Sequence, residues 1–234
     1  MNHPVAIDAE REALHVGWAD VRASFRRWNH DVGAVVRVWM GTSLLVGVAL
    51  LLATWVVSTQ VEPGAPYAAF SHVPSVAGAQ VLLGRNLLVL LMHALICVAG
   101  YMALTSMPIV AQGYSGWKRR VHLLAGPIAI VFVAAVTLGS FALQAWSLGS
   151  AAPGIAAAYD VPTWQLLLLV SPHALPELTA VFLPLGAWLV LARRREYREL
   201  LAASVLSFAA AVPILVIATI VEEWVSPLLI DRFT

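Results

Sequence analysis

Five stretches of the chain stay apolar for about the length of a membrane crossing: Val38–Ser58, Leu87–Met107, Leu123–Trp146, Trp164–Ala192 and Leu200–Val221. At 1.5 Å rise per residue, about 20 helical residues cross a hydrocarbon core of about 30 Å, so each run qualifies. Helices buried in soluble proteins rarely run this long without a polar face. The pattern predicts an all-α fold, a polytopic membrane helical bundle of about five transmembrane helices. The fourth run is interrupted by Pro172 and Pro176. Each proline lacks a backbone donor and frees a carbonyl one turn earlier, so a proline-broken fourth segment is expected. Irregular backbone survives at membrane depth only when buried in protein or lining a wet cavity. Between the runs, Thr59–Gly84 and Ser147–Thr163 are rich in Pro, Gly and Ala and read as irregular external caps. Neither can bury a core of its own, so residues 38–234 read as one bundle.

The first 37 residues carry a different period. Leu14, Trp18, Val21, Phe25, Trp28, Val32 and Val35 recur at alternating steps of four and three, drawing an apolar stripe on a helix. Arg22, Arg26 and Arg27 lie largely off that stripe. Trp18, Phe25 and Trp28 on one side, with Arg22 and Arg26 on the other, suit a helix lying in the headgroup layer. A coiled-coil seam to a partner is the alternative, but aromatic rings fit headgroups better than a seam. Residues 1–37 are therefore expected to form a cytoplasmic amphipathic helix.

Only 12% of residues are charged and the mean hydropathy is +0.82. Soluble proteins carry about 25% charged residues, so lipid must cover the outside of this chain. A net charge of +1 argues against a nucleic-acid partner. All but two of the 14 lysines and arginines fall in residues 1–37, in Lys118–Arg120 and in Arg193–Arg198. Arg85 and Arg232 are the exceptions. In a five-span chain those three regions share one side, so the positive-inside rule puts the N-terminus in the cytoplasm and the C-terminus outside. The location expected is the bacterial cytoplasmic (inner) membrane. No signal peptide is legible, and the first apolar run reads as a retained anchor. Cys97 is the single cysteine and forms no internal disulfide.

In so apolar a chain the informative residues are the ionisable ones at membrane depth. Residues 171–178 read Ser-Pro-His-Ala-Leu-Pro-Glu-Leu, and His173 and Glu177, four apart, share a face if the helix is intact. From Glu177 to Arg193 an unbroken helix rises about 24 Å, and from Glu199 to Glu222 about 34 Å. Asn86 opens the second run and His93 lies about 10 Å below it. Asn86, His93, His173, Glu177, Glu222 and Glu223 thus fall at or near the outer leaflet and could form one polar cluster. Its role stays open between fixing a broken helix, since buried polar groups must find partners, and contacting a substrate, lipid or protein. His93, His173, Glu177 and Glu222 are acceptable metal ligands by type. No HExxH or CxxC spacing supports a site, so no metal or cofactor is expected. There is no GxSxG and no phosphate-binding loop, so no catalytic residue is expected either. Glu223 also reads as a solvated charge at the outer boundary, and His122, beside Lys118–Arg120, as facing headgroups.

The same strings carry a family resemblance. Residues 172–180, Pro-His-Ala-Leu-Pro-Glu-Leu-Thr-Ala, resemble the Pro-His-Gly-x-x-Glu-Leu-Pro-Ala signature of the stage II sporulation protein M family. Residues 221–227, Val-Glu-Glu-Trp-Val-Ser-Pro, resemble the Ile-Glu-x-x-x-Thr-Pro that ends the family's last span. Arg85-Asn86 resembles its paired Asn, and the turn Ala111–Gly116 fits a glycine-containing cytoplasmic turn. The resemblance covers residues from about 80 to 230 in matching order. Ala174 in place of Gly, Thr179 in place of Pro and the missing Asn mark a divergent member.

The resemblance implies a non-catalytic membrane subunit that recruits or positions partners in a cell-envelope complex. Its partners would be the lipid bilayer and other membrane or envelope proteins, with a homo-oligomer left open. From a different class, the permease of an ATP-driven exporter, with its ATPase subunit a separate chain, suits the interfacial helix and short basic loop by fold-level analogy. An intramembrane metalloenzyme is a distant third.

Overall fold

A computed structural model describes residues 4–62 and 74–233. The described residues are helical throughout, without strands. The elements are α1 (Pro4–Trp28), α2 (Val32–Ser58), α3 (Val76–Tyr101), a π turn (Met102–Ser106), α4 (Met107–Val110), α5 (Gly116–Ala158), α6 (Thr163–Val181), α7 (Leu183–Arg194), α8 (Leu200–Ile220), a second π turn (Val221–Val225) and α9 (Ser226–Phe233). Four segments are long and apolar enough to cross a membrane: Val32–Ser58, Val76–Gly113, Gly116–Ala158 and Tyr197–Ile230. The bent pair α6–α7 makes a fifth when counted as one span. The chain is thus a helical bundle with the composition of an integral membrane protein.

Three local features differ from expectation. First, the N-terminal helix stops at Trp28 rather than continuing to residue 37. Asp31 opens α2 as its cap: the carboxylate Oδ1 accepts the Ala34 N–H at 3.0 Å. Val32 and Val35, the end of the predicted stripe, therefore belong to the first span.

Second, the fourth segment is broken, but not at its paired prolines. Pro172 and Pro176 lie inside continuous α6. Pro172 frees the Leu168 carbonyl, and the Ser171 hydroxyl donates to that oxygen at 2.8 Å. The 49° bend falls between Val181 and Leu183. Phe182 leaves the helical region there (φ −86°, ψ 1°), just ahead of Pro184, which lacks the N–H that would continue the ladder. The Phe182 carbonyl at the bend accepts the Ser43 hydroxyl at 3.1 Å.

Third, the stretch expected as a second external cap is largely helix, since α5 runs on to Ala158. Alanine is the strongest helix former, and this stretch is full of it. Of the first cap, 63–73 lie outside the described residues, and α3 is already helical from Val76.

The chain divides into two compact units, and α2, α3, α5 and α8 each contribute to both. One unit holds the described residues up to Thr42, Leu91–Val136 and Leu183–Ala210. In it α1 lies against the first π turn and α4. Trp28 is buried edge-on between Phe25 and Trp39, with ring centroids 5.9 and 5.4 Å away. Its indole Nε1 donates to Glu199 Oε2 at 3.1 Å, and Arg27 pairs with the same carboxylate. Tyr101 donates to Asp20 Oδ2 at 3.0 Å. The other unit holds Ser43–Leu90, Thr137–Phe182 and the chain from Ala211 onward. Its core includes Leu50, Leu90 and Leu215. At Gly149 the α5 backbone comes so close to α2 that a Cβ would stand 2.7 Å from the Thr54 carbonyl, the close approach that small residues permit between membrane helices.

Candidate functional site

The second unit draws most of the predicted polar residues together. The π turn Val221–Val225 is the source of the arrangement. Its wide ring closes where the Ser226 N–H bonds the Val221 carbonyl. Pro227 follows, and a proline ring clashes with the carbonyl four residues back in an ordinary helix. One extra residue in the turn moves that carbonyl aside, and π turns of this kind are frequent at functional sites. The turn and α9 both pack on α6.

Glu177 of α6 lies within side-chain reach of Glu222 of the π turn and of Asn86 of α3, with Arg85 close enough to act on its charge. One turn earlier, His173 Nδ1 lies 2.6 Å from Ser226 Oγ, and that hydroxyl donates to the Val221 carbonyl at 3.2 Å. With the hydroxyl proton on Val221, Nδ1 is the donor to Oγ. His173 thus clamps α6 to the second π turn. Ser226 is buried and its proton engaged, unlike an activated nucleophile with room for a substrate.

Glu223 corrects an expectation. Rather than a solvated charge it is 1% exposed, and its Oε1 accepts the Ser75 N–H at 2.7 Å. Gly78 makes the space: a Cβ there would lie 2.4 Å from Glu223 Oε1. Ser226 gave a signal in sequence only as part of the Ser-Pro string, and Ser75 and Gly78 gave none. His93 is buried and belongs to the first unit. Among the described residues no group of three or more His, Cys, Asp and Glu is placed to hold a metal ion.

The N-terminal residues separate into two sets. Trp28 is a core residue of its unit, not a lipid contact, and Phe25 is half-buried against it. Trp18, Arg22 and Arg26 are exposed, as an interfacial helix requires. His122 stacks on Tyr114, ring centroids 4.7 Å apart.

No family model matches the chain, and no curated protein or solved structure does either.

Proposed function

We propose that the chain is a non-catalytic integral membrane subunit that recruits or positions partner proteins in a bacterial cell-envelope complex, as a divergent member of the stage II sporulation protein M family would. One observation carries this reading. The three strings that resemble the family, Arg85-Asn86, residues 172–180 and residues 221–227, are far apart in sequence, yet their polar residues come together: Asn86 and Glu222 lie beside Glu177, and His173 bonds Ser226. The N-terminus lies in the cytoplasm and the C-terminus outside, on the distribution of basic residues. Reporter fusions at Ala34, Arg195 and the C-terminus test that orientation, and a cytoplasmic signal from the last contradicts it.

The permease of an ATP-driven exporter is the second reading. It is favoured by α1, an amphipathic helix fastened to the start of α8 through Glu199, which could pass on the movement of a cytoplasmic ATPase. Mild-detergent purification from native membranes, with identification of what comes along, separates the two. Envelope hydrolases or scaffold proteins support the first reading, and a stoichiometric ATPase subunit replaces it with the second.

A further inference from the structure

The first unit holds a cavity of about 630 Å³ lined almost wholly by apolar side chains. One wall is α1, through Leu14 and Trp18. Facing them are Met102 and Met107 at the first π turn and Val205 of α8. Leu14 and Trp18 remain 69% and 66% exposed, so α1 covers the cavity without closing it. Beside the cavity, α1 is fixed to its unit by Tyr101–Asp20 and, at its end, by Trp28–Glu199. The cavity is therefore part of how α1 docks.

Helix spacing places basic residues beside the lining. His122 lines the cavity. Lys118 and Arg119 precede it by four and three residues on α5, which sets them on the same face. On α1, Arg11 falls three before Leu14, beside the cavity wall. All three cations are exposed, and no carboxylate lies within ion-pair distance of them among the described residues. The acidic lining residue is Glu10, whose carboxylate accepts the Tyr114 hydroxyl at 3.4 Å. An apolar slot with an open side, and unpaired cations beside it, matches an amphiphile with an acyl chain and an anionic head. Basic pockets between membrane helices recognise anionic lipid headgroups in this way.

We infer that the cavity beneath α1 holds an acyl chain of an anionic phospholipid, with its phosphate on Lys118 and Arg119. The lipid would complete the seat of α1, filling the gap left where the π turn departs from ordinary helix. The inference needs only the membrane setting of the chain and stands apart from the function proposed above.

The test is native mass spectrometry of the delipidated, detergent-purified full chain titrated with phosphatidylglycerol and with phosphatidylcholine of the same acyl composition. One tightly held phosphatidylglycerol per chain is expected, preferred over phosphatidylcholine by about tenfold or more. K118Q/R119Q should bring phosphatidylglycerol down to the phosphatidylcholine level, and V205W, which fills the slot, should weaken both lipids. Equal affinity for the two lipids in the wild type overturns the inference, as does an undiminished preference in K118Q/R119Q or unchanged binding in V205W. A lipid-free dimer in the same spectra assigns the groove to a second copy of the chain and overturns it as well.

Discussion

The molecule solves one backbone problem twice, in opposite surroundings. Met102–Ser106 precedes Pro108 as Val221–Val225 precedes Pro227, and each π turn closes by bonding the residue before the proline to the turn's first carbonyl. Each is also met by a glycine from elsewhere in the chain. Gly126 sets α5 so close that a Cβ would lie 2.9 Å from the Ala103 carbonyl, and Gly78 gives room to Glu223. In the first turn the proline leaves the Ala103 carbonyl without a helical donor, and it lies against Gly126, beside an apolar cavity. In the second, the side chains of the turn and of Ser226 are the polar cluster itself. The local geometry therefore comes from the proline, while the chemistry comes from what the neighbouring helices bring to it. By contrast Pro172, with Ser171 to satisfy the Leu168 carbonyl, needs no such turn.

The largest effect should come from breaking the cover of the first turn. Gly126→Val drives a branched side chain into a backbone carbonyl, and overpacking of this kind costs about 3 kcal/mol. Gly78→Ala meets the end of a side chain and should cost about 1 kcal/mol, with both read by thermal unfolding in detergent. Equal losses would mean that the two covers are not different in kind.

Within the second turn, Glu177→Ala leaves Asn86 and Glu222 without their partner and should cost about 2–3 kcal/mol, seen as lower abundance in the membrane. Glu177→Gln keeps the shape and the hydrogen bonding and should stay within about 1 kcal/mol of wild type. Ser226→Ala removes the link between His173 and Val221 for about 1 kcal/mol.

The smallest expected effect sharpens the first region. Trp18→Ser should change detergent stability by less than about 0.5 kcal/mol, because its ring is largely exposed rather than packed in the core. It should instead expose α1 to protease in membranes. Unchanged protection would show that Trp18 does not hold α1 at the interface.

How far the sequence reveals this depends on whether the signal is local. The spans were legible because lipid demands long apolar runs whatever surrounds them. His173, Glu177, Glu222 and Asn86 were legible as a candidate cluster because ionisable and polar groups at that depth need partners. The bend was misplaced because Ser171 repairs the break at Pro172, whereas the break at Phe182 is held by Ser43, a distant residue. The burial of Glu223 was invisible because the space for it depends on Gly78, from a distant segment. Trp28 read as part of a lipid-facing stripe because periodicity does not separate a ring facing lipid from one facing Glu199. The π turns left a trace in Pro108 and Pro227, but a proline near a helix end reads equally well as a stop.

The central claim is that Glu177 and Glu222, brought from separate helices, act as one unit. A double-mutant cycle with Glu177→Gln, Glu222→Gln and the combination, read as unfolding free energy in detergent, tests it most directly. Coupling of at least about 1 kcal/mol is predicted, since groups in one hydrogen-bond network deviate from additivity by about 0.5–3 kcal/mol. Additivity within about 0.3 kcal/mol, the behaviour of independent sites, would contradict it.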